Sequence, residues 1–273
     1  MYTIVLSLLA GALAGAGLGA SHAATPGWSV FWGLAVAAAG FFGASRILAR
    51  RLARRVADVQ ADLVATQKRL QAKIKQFEQR PVGSPQQMMR EIEADQAKAF
   101  RAALAKTSTL EPFAGWVPLL RRQVATMRMQ FHYQLREFDK VDELLPQCLF
   151  LDPATAAMKL AQMHRRKASV DDLRKEFDKL VRRFKYNQSV LPYSLLAWAY
   201  VQAGRDADAY KLLVQACRDN EHETLTRNRD RLANNRPREF SHAGLGDMWY
   251  ALFLEQPKIK QRRVMPRMDG RPF

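Results

Sequence analysis

The sequence predicts an all-α protein with a membrane-inserted N-terminal end and a basic helical domain on the cytoplasmic side. Three observations carry that expectation. Residues 2–20 and 28–45 contain no charged side chain, and five arginines follow within residues 46–55. From Pro85 onward nearly every segment carries helical periodicity, and no run alternates with period two as a strand would.

Each uncharged stretch is about 18–20 residues, roughly 27–30 Å as helix, which matches the hydrocarbon core of a bilayer. Between them, Ser21-His22-Ala23-Ala24-Thr25-Pro26-Gly27 reads as a short polar turn with a helix breaker near its end. Trp28 and Trp32 sit where interfacial aromatic anchors are expected. A cleaved signal peptide is the alternative for the first stretch, since Ser21-His22-Ala23 offers small residues to a peptidase. The absence of Lys or Arg ahead of the apolar run favours a retained helix. Gly11, Gly15 and Gly19 form a small-residue stripe, and Gly33, Ala37, Gly40 and Ala44 repeat the spacing in the second stretch. Small residues on one face let two backbones approach closely, so a tight transmembrane hairpin over residues 1–48 is expected. Arg46, Arg50, Arg51, Arg54 and Arg55 follow the second stretch, while the turn has no Lys or Arg. The positive-inside rule then puts both termini in the cytoplasm of a bacterial-type inner membrane. The same arginines would lie level with anionic phospholipid headgroups.

The helix should continue out of the membrane as a connector over residues 49–80, because Arg46 to Gln79 contains no Gly or Pro. Val56, Leu63, Leu70 and Phe77 recur every seven residues, with Leu52, Val59 and Thr66 offset between them and Lys73 in an inner position. That short heptad seam fits two uses equally: a coiled coil between copies, giving a homo-oligomer, or a helix packed on its own domain. Pro81-Val82-Gly83-Ser84-Pro85 ends it, with Ser84 placed to cap the next helix.

Beyond a helical lead-in at 85–122, helices are expected at 86–107, 116–135, 138–149, 153–165, 170–184, 192–203, 207–219 and 243–254. Twelve- to fifteen-residue helices with short links suggest stacked antiparallel pairs. The stretch 222–256 starts polar and Arg-rich, with Arg227, Arg229, Arg231, Arg236 and Arg238, and ends in an aromatic segment read as a capping helix. The tail 257–273 is basic, with three prolines, and is expected to be extended.

Two of these segments resemble tetratricopeptide repeats. Leu135-Arg136-Glu137-Phe138-Asp139-Lys140-Val141 with Leu144-Leu145-Pro146-Gln147-Cys148-Leu149-Phe150-Leu151-Asp152-Pro153 is similar to the second half of one unit. Leu195-Leu196-Ala197-Trp198-Ala199-Tyr200-Val201-Gln202-Ala203-Gly204 resembles the first helix and turn of another, continued by Ala209, Leu213 and Ala216. Superposition pairs Val141 with Ala209, Leu145 with Leu213 and Cys148 with Ala216, each about two 34-residue periods apart. A divergent unit is expected between them at 153–184, with Leu173, Phe177, Leu180, Val181 and Phe184 on its buried face. The resemblance covers residues 123–221. It implies an α-solenoid with a concave groove for a peptide or helix of another protein. Arg128, His132, Tyr193, Ala197 and Tyr200 would lie near that groove.

Composition constrains function further. Lys+Arg number 43 against 26 Asp+Glu in 273 residues, a net charge of +17 that calls for an anionic neighbour: acidic protein, phospholipid or nucleic acid. Hydrophobic residues at 48% exclude a disordered chain, and two cysteines, Cys148 and Cys217, exclude a disulfide scaffold or Cys-rich zinc module. No phosphate loop, dinucleotide motif or nucleophile elbow occurs, and Gly244-Leu245-Gly246 lacks a preceding strand. The histidines His22, His132, His164, His222 and His242 are scattered without ligand spacing. No catalytic residue, cofactor or metal site is therefore expected. A membrane-anchored scaffold or accessory subunit, working through protein–protein contacts, is the leading expectation. A membrane-tethered nucleic-acid binder using the Arg-rich segments is the alternative.

Overall fold

The computed structural model describes residues 2–20, 26–79, 85–117 and 119–256. The turn with His22, the Ser84 cap and the basic tail all lie outside the described residues. Regular structure among the described residues is exclusively helical. The chain divides into two compact units, Met1–Phe150 and Leu151–Phe273.

The first unit is organised on α2 (Pro26–Gln79), a single helix of 54 residues preceded by α1 (Tyr2–Ala20). Its apolar stretch is long and apolar enough to cross a membrane, and only 11% of that stretch is buried. α1 runs antiparallel to this part of α2 through small residues. A Cβ on Gly11 would lie 2.5 Å from both the Ala37 Cβ and the Gly33 carbonyl oxygen. One on Gly33 would come 2.8 Å from the Gly11 oxygen and 3.2 Å from the Gly15 Cα. Gly11, Gly15, Gly33 and Ala37 thus make the contact. Gly40 has open space around it, and the surroundings of Gly19 lie outside the described residues.

The polar half of α2 folds onto α3 (Pro85–Lys106), the 3-10 segment Thr107–Phe113 and α4 (Leu120–Gln134). Val59 is buried with Ala103 and Phe131, and Leu63, Phe100, Leu104 and Met127 pack around them. Leu52 and Val56 lie against a second cluster of Leu110, Leu120 and Val124. Within the chain, Leu52, Val56, Val59 and Leu63 of the heptad seam pack on the neighbouring helices. Lys73, the polar residue in that seam, reaches Asp95 at 2.8 Å, and Lys106 pairs with Asp62. Both pairs are solvent-exposed and add little stability.

Two expected boundaries shift here. α4 begins at Leu120 rather than 116, because Leu119 has φ of 63°, outside the helical region. α5 (Phe138–Leu144) stops early, since Pro146 lies in the 3-10 turn Leu145–Gln147 that follows. Cys148 is consequently buried in extended backbone, ψ 158°, held by Arg122 donating to its carbonyl at 3.1 Å. It is therefore not within a second helix, and its pairing with Ala216, which is helical, fails.

The second unit comprises α6 (Pro153–Arg165), α7 (Val170–Val181), α8 (Val190–Gln202), α9 (Asp206–Asp219) and α10 (Glu223–Ala233). Asp152 caps α6 by accepting from the Ala154 and Thr155 amides, with Pro153 at the first helical position. Ser169 caps α7 through the Asp172 amide, and Asp171 and Asp172 occupy its first turn, facing the positive helix end. Leu173, Phe177 and Leu180 form the buried face of α7 as its periodicity requires. α8 is the core, buried continuously from Leu191 to Tyr200 and packed on α6, α7 and α9. Gly204, at φ 70°, makes the turn into α9 that side-chained residues rarely adopt.

The end of this unit departs from expectation. The polar stretch contains α10, capped by His222 accepting from the Thr224 amide, with Leu225 and Asn228 buried. The expected helix 243–254 is replaced by a 3-10 turn, Ala243–Leu245, and one helical turn, Asp247–Tyr250. Gly246 at φ 57° interrupts the two. Trp249 and Leu252 are nonetheless buried, and both Trp198 and Trp249 donate their indole N–H to the Glu255 carboxylate at 2.7 and 2.8 Å.

The α1–α2 contact leaves no room for a side chain at Gly11. Gly11→Val should lower stability by about 1–3 kcal/mol through overpacking, read as a lower midpoint in thermal unfolding of the detergent-solubilised protein. An unchanged midpoint would show that α1 does not pack there.

Candidate functional site

The arginines that follow the apolar stretch, Arg46, Arg50, Arg51, Arg54 and Arg55, are all exposed on successive turns of α2. None of them makes an ion pair among the described residues, so their charge faces solvent. They form a collar of positive charge at the end of the apolar stretch.

The five residues placed near a groove separate into two groups, and one of them, Tyr193, lines a surface cleft. Arg128 donates from Nε to the Thr107 hydroxyl at 2.9 Å and pairs with Glu111 at 2.5 Å, tying α4 to the 3-10 segment. His132 lies 2.7 Å from a Glu137 carboxylate oxygen across the turn into α5. Lys140 and His132 hydrogen-bond to that carboxyl and hold it below the usual carboxylate range. Tyr193, Ala197 and Tyr200 are core residues, exposed by only 1%, 0% and 4%. The reason is helix burial: α8 is apolar on every face, so it is enclosed on all sides rather than presenting one face to a partner.

A surface cleft of about 440 Å³ does open in the second unit, where the link after α7 passes the end of α9. Its floor is Phe177 and Tyr193, with rings edge-to-face at 4.9 Å. The Tyr193 hydroxyl donates to Asp219 at 2.6 Å, and burial together with that carboxylate pushes its pKa up, so it stays a neutral donor. Arg182, Lys185 and Arg218 lie on the rim, with Tyr186 62% exposed beside them. Asp178 and Asp219 also line the cleft, so its rim carries three cations and its wall two carboxylates. The run Arg182-Arg183-Phe184-Lys185-Tyr186 is visible in the sequence as alternating cations and aromatics. It falls at the end of the helix expected at 170–184, where Phe184 belongs to the expected buried face.

A second cluster surrounds His242, which is fully buried between Phe240 at 4.9 Å and Trp249 at 4.2 Å. Neither ring nitrogen has a hydrogen-bond partner among the described residues. Burial pushes its pKa down to about 3, so the ring is neutral. Among the described residues no group of three or more His, Cys, Asp or Glu side chains could hold a metal ion.

The fold and these surfaces define a class: an all-helical chain with one helix long and apolar enough to span a membrane. Comparison with protein-family models, with curated proteins and with solved structures finds no match to this chain.

His242 makes stability pH-dependent with a determined sign. The unfolded chain binds a proton at this ring below about pH 6.5, whereas the folded chain does not until about pH 3. Stability is therefore fully present above pH 6.5 and falls by up to about 1.4 kcal/mol per pH unit below it. His242→Phe should flatten that slope in denaturant unfolding between pH 7.5 and 5. Parallel profiles for the two proteins would show that the ring is not held neutral.

Proposed function

We propose that this protein is a membrane-anchored helical scaffold or accessory subunit. In this reading α1 and the apolar part of α2 form a hairpin that crosses a bacterial-type inner membrane, with both termini in the cytoplasm. The helices beyond it, tetratricopeptide-like in character, dock a partner protein within a larger membrane-associated complex. No catalysis is part of the proposal.

The observation that carries it is unburied apolar surface. Val5, Leu6, Leu8, Leu9 and Leu13 of α1, and Trp28, Val30, Phe31, Leu34 and Phe42 of α2, are each more than half exposed. A contiguous surface of this kind would drive aggregation in water, and a bilayer removes that cost. The packing of Gly11 against Gly33 supports a retained first helix over a cleaved one. The helix pairs α6/α7 and α8/α9, with α8 also lying on α6, support a repeat character, as does the buried set Ala209, Leu213 and Ala216. The cationic rim of the cleft supports an acidic peptide as what is docked there.

The nucleic-acid alternative is weaker on the same ground. In the Arg-rich stretch, Arg227 pairs with Glu223, Arg229 with Asp230 and Arg236 with Glu239, and Arg231 donates to Asn228. Much of its charge is already answered within the chain.

Affinity purification from detergent-solubilised membranes, with nuclease-treated controls, tests the reading. A stoichiometric set of proteins indifferent to nuclease is expected. The variant Arg182→Glu/Arg218→Glu should stay in the membrane but lose the protein docked at the cleft. Nucleic acid that co-purifies and washes off with salt, without such proteins, would overturn the scaffold in favour of the alternative.

A further inference from the structure

The link between the 3-10 segment and α4 is an unusual piece of surface. Trp116 is 37% exposed and Leu119 58% exposed, and Leu119 holds φ of 63°, a region that leucine avoids. A strained backbone with a large apolar side chain turned outward is a costly arrangement in water, and it is rigidly supported. Phe113 and Val117, on either side of Trp116, pack on the cluster of Leu110, Leu120 and Val124 that also meets α2.

This turn is also attached to the start of α1. The Tyr2 amide donates to the Gly115 carbonyl at 3.1 Å, and the Tyr2 and Trp116 rings meet edge-to-face at 5.5 Å. The register of α1 on α2 then sets the depth of the turn. Tyr2 lies nine residues before Gly11, about 13 Å along the helix, and the same travel on α2 from Ala37 reaches about residue 46. That is where the apolar stretch ends and the arginine collar begins. Arg121, exposed in the first turn of α4, adds charge immediately after Leu119.

We propose that the surface formed by residues 113–117 and Leu119 is a second membrane contact, in which Trp116 and Leu119 enter the headgroup region of the cytoplasmic leaflet beside the arginine collar. Amphipathic and apolar side chains flanked by cations are the composition that this interface favours. The contact clamps the base of the first unit against the bilayer, so that α2 and the helices packed on it hold a set angle to the membrane. The inference rests on the bilayer reading of α1 and α2, and the occupant it commits to is anionic lipid.

The test uses the full-length protein, with both native cysteines replaced by alanine, in vesicles of phosphatidylcholine and phosphatidylglycerol. An environment-sensitive fluorophore is placed in turn at Leu119→Cys, Leu13→Cys and Met89→Cys, and spin-labelled lipids report depth by quenching. Met89, exposed near the start of α3, is the water-facing reference. The expected result is loss of fluorescence at 119 with headgroup-region labels, loss at 13 with deep acyl labels, and none at 89. Quenching at 13 but not at 119 would overturn the second contact and leave the anchor standing. No quenching at 13 would remove the anchor itself, and the second contact with it.

Discussion

One unbroken helix whose surface changes from apolar to amphipathic along its length governs the first unit. α2 runs from Pro26 to Gln79 with an uncharged, largely exposed first part and an amphipathic remainder. A helix tolerates that change because its backbone groups are satisfied internally wherever it lies. The two parts then recruit neighbours by different physics. Around the apolar part, burial gives no advantage if the surroundings are lipid, so α1 is held by close backbone approach at Gly11, Gly15 and Gly33. Around the remainder, ordinary apolar burial of Leu52, Val56, Val59 and Leu63 holds the 3-10 segment, α3 and α4. The arginines from Arg46 to Arg55 mark the change from one regime to the other.

Much of this was legible in sequence, because it depends on patterns along one helix. Absence of charge, small-residue spacing and the heptad of Val56, Leu63 and Leu70 are properties of a single element read by itself. What the heptad packs against was not legible, since a seam has the same period whether its partner is another copy or α3. The caps at Asp152 and Ser169 rest on local side-chain chemistry, yet the one cap expected from sequence, Ser84, lies outside the described residues. The helix α10 itself was missed, because its cap is a histidine and its arginine content resembles a solvated linker.

For the residues placed near a groove, the structure adds what surrounds them. Their positions come from the repeat pattern, which fixes where a residue falls along a helix but not what covers it. α8 carries apolar residues on all faces, and Tyr193, Ala197 and Tyr200 disappear into the second unit. The surface that remains open lies at a helix end instead, where Arg182, Lys185, Tyr186 and Arg218 converge from two elements far apart in sequence. Convergence of that kind leaves no spacing for a motif to show. The same holds for Glu255, which accepts from the distant Trp198 as well as from Trp249.

The central claim is that the apolar ends of α1 and α2 cross a bilayer and leave the rest of the chain in the cytoplasm. Cysteine accessibility in intact bacterial cells expressing the full chain tests it most directly. On a background without native cysteines, His22→Cys should react with a membrane-impermeant maleimide from outside. Leu151→Cys, 64% exposed at the start of the second unit, should react only after the cells are permeabilised. Labelling of Leu151→Cys in intact cells, or of neither position until permeabilisation, would contradict the account.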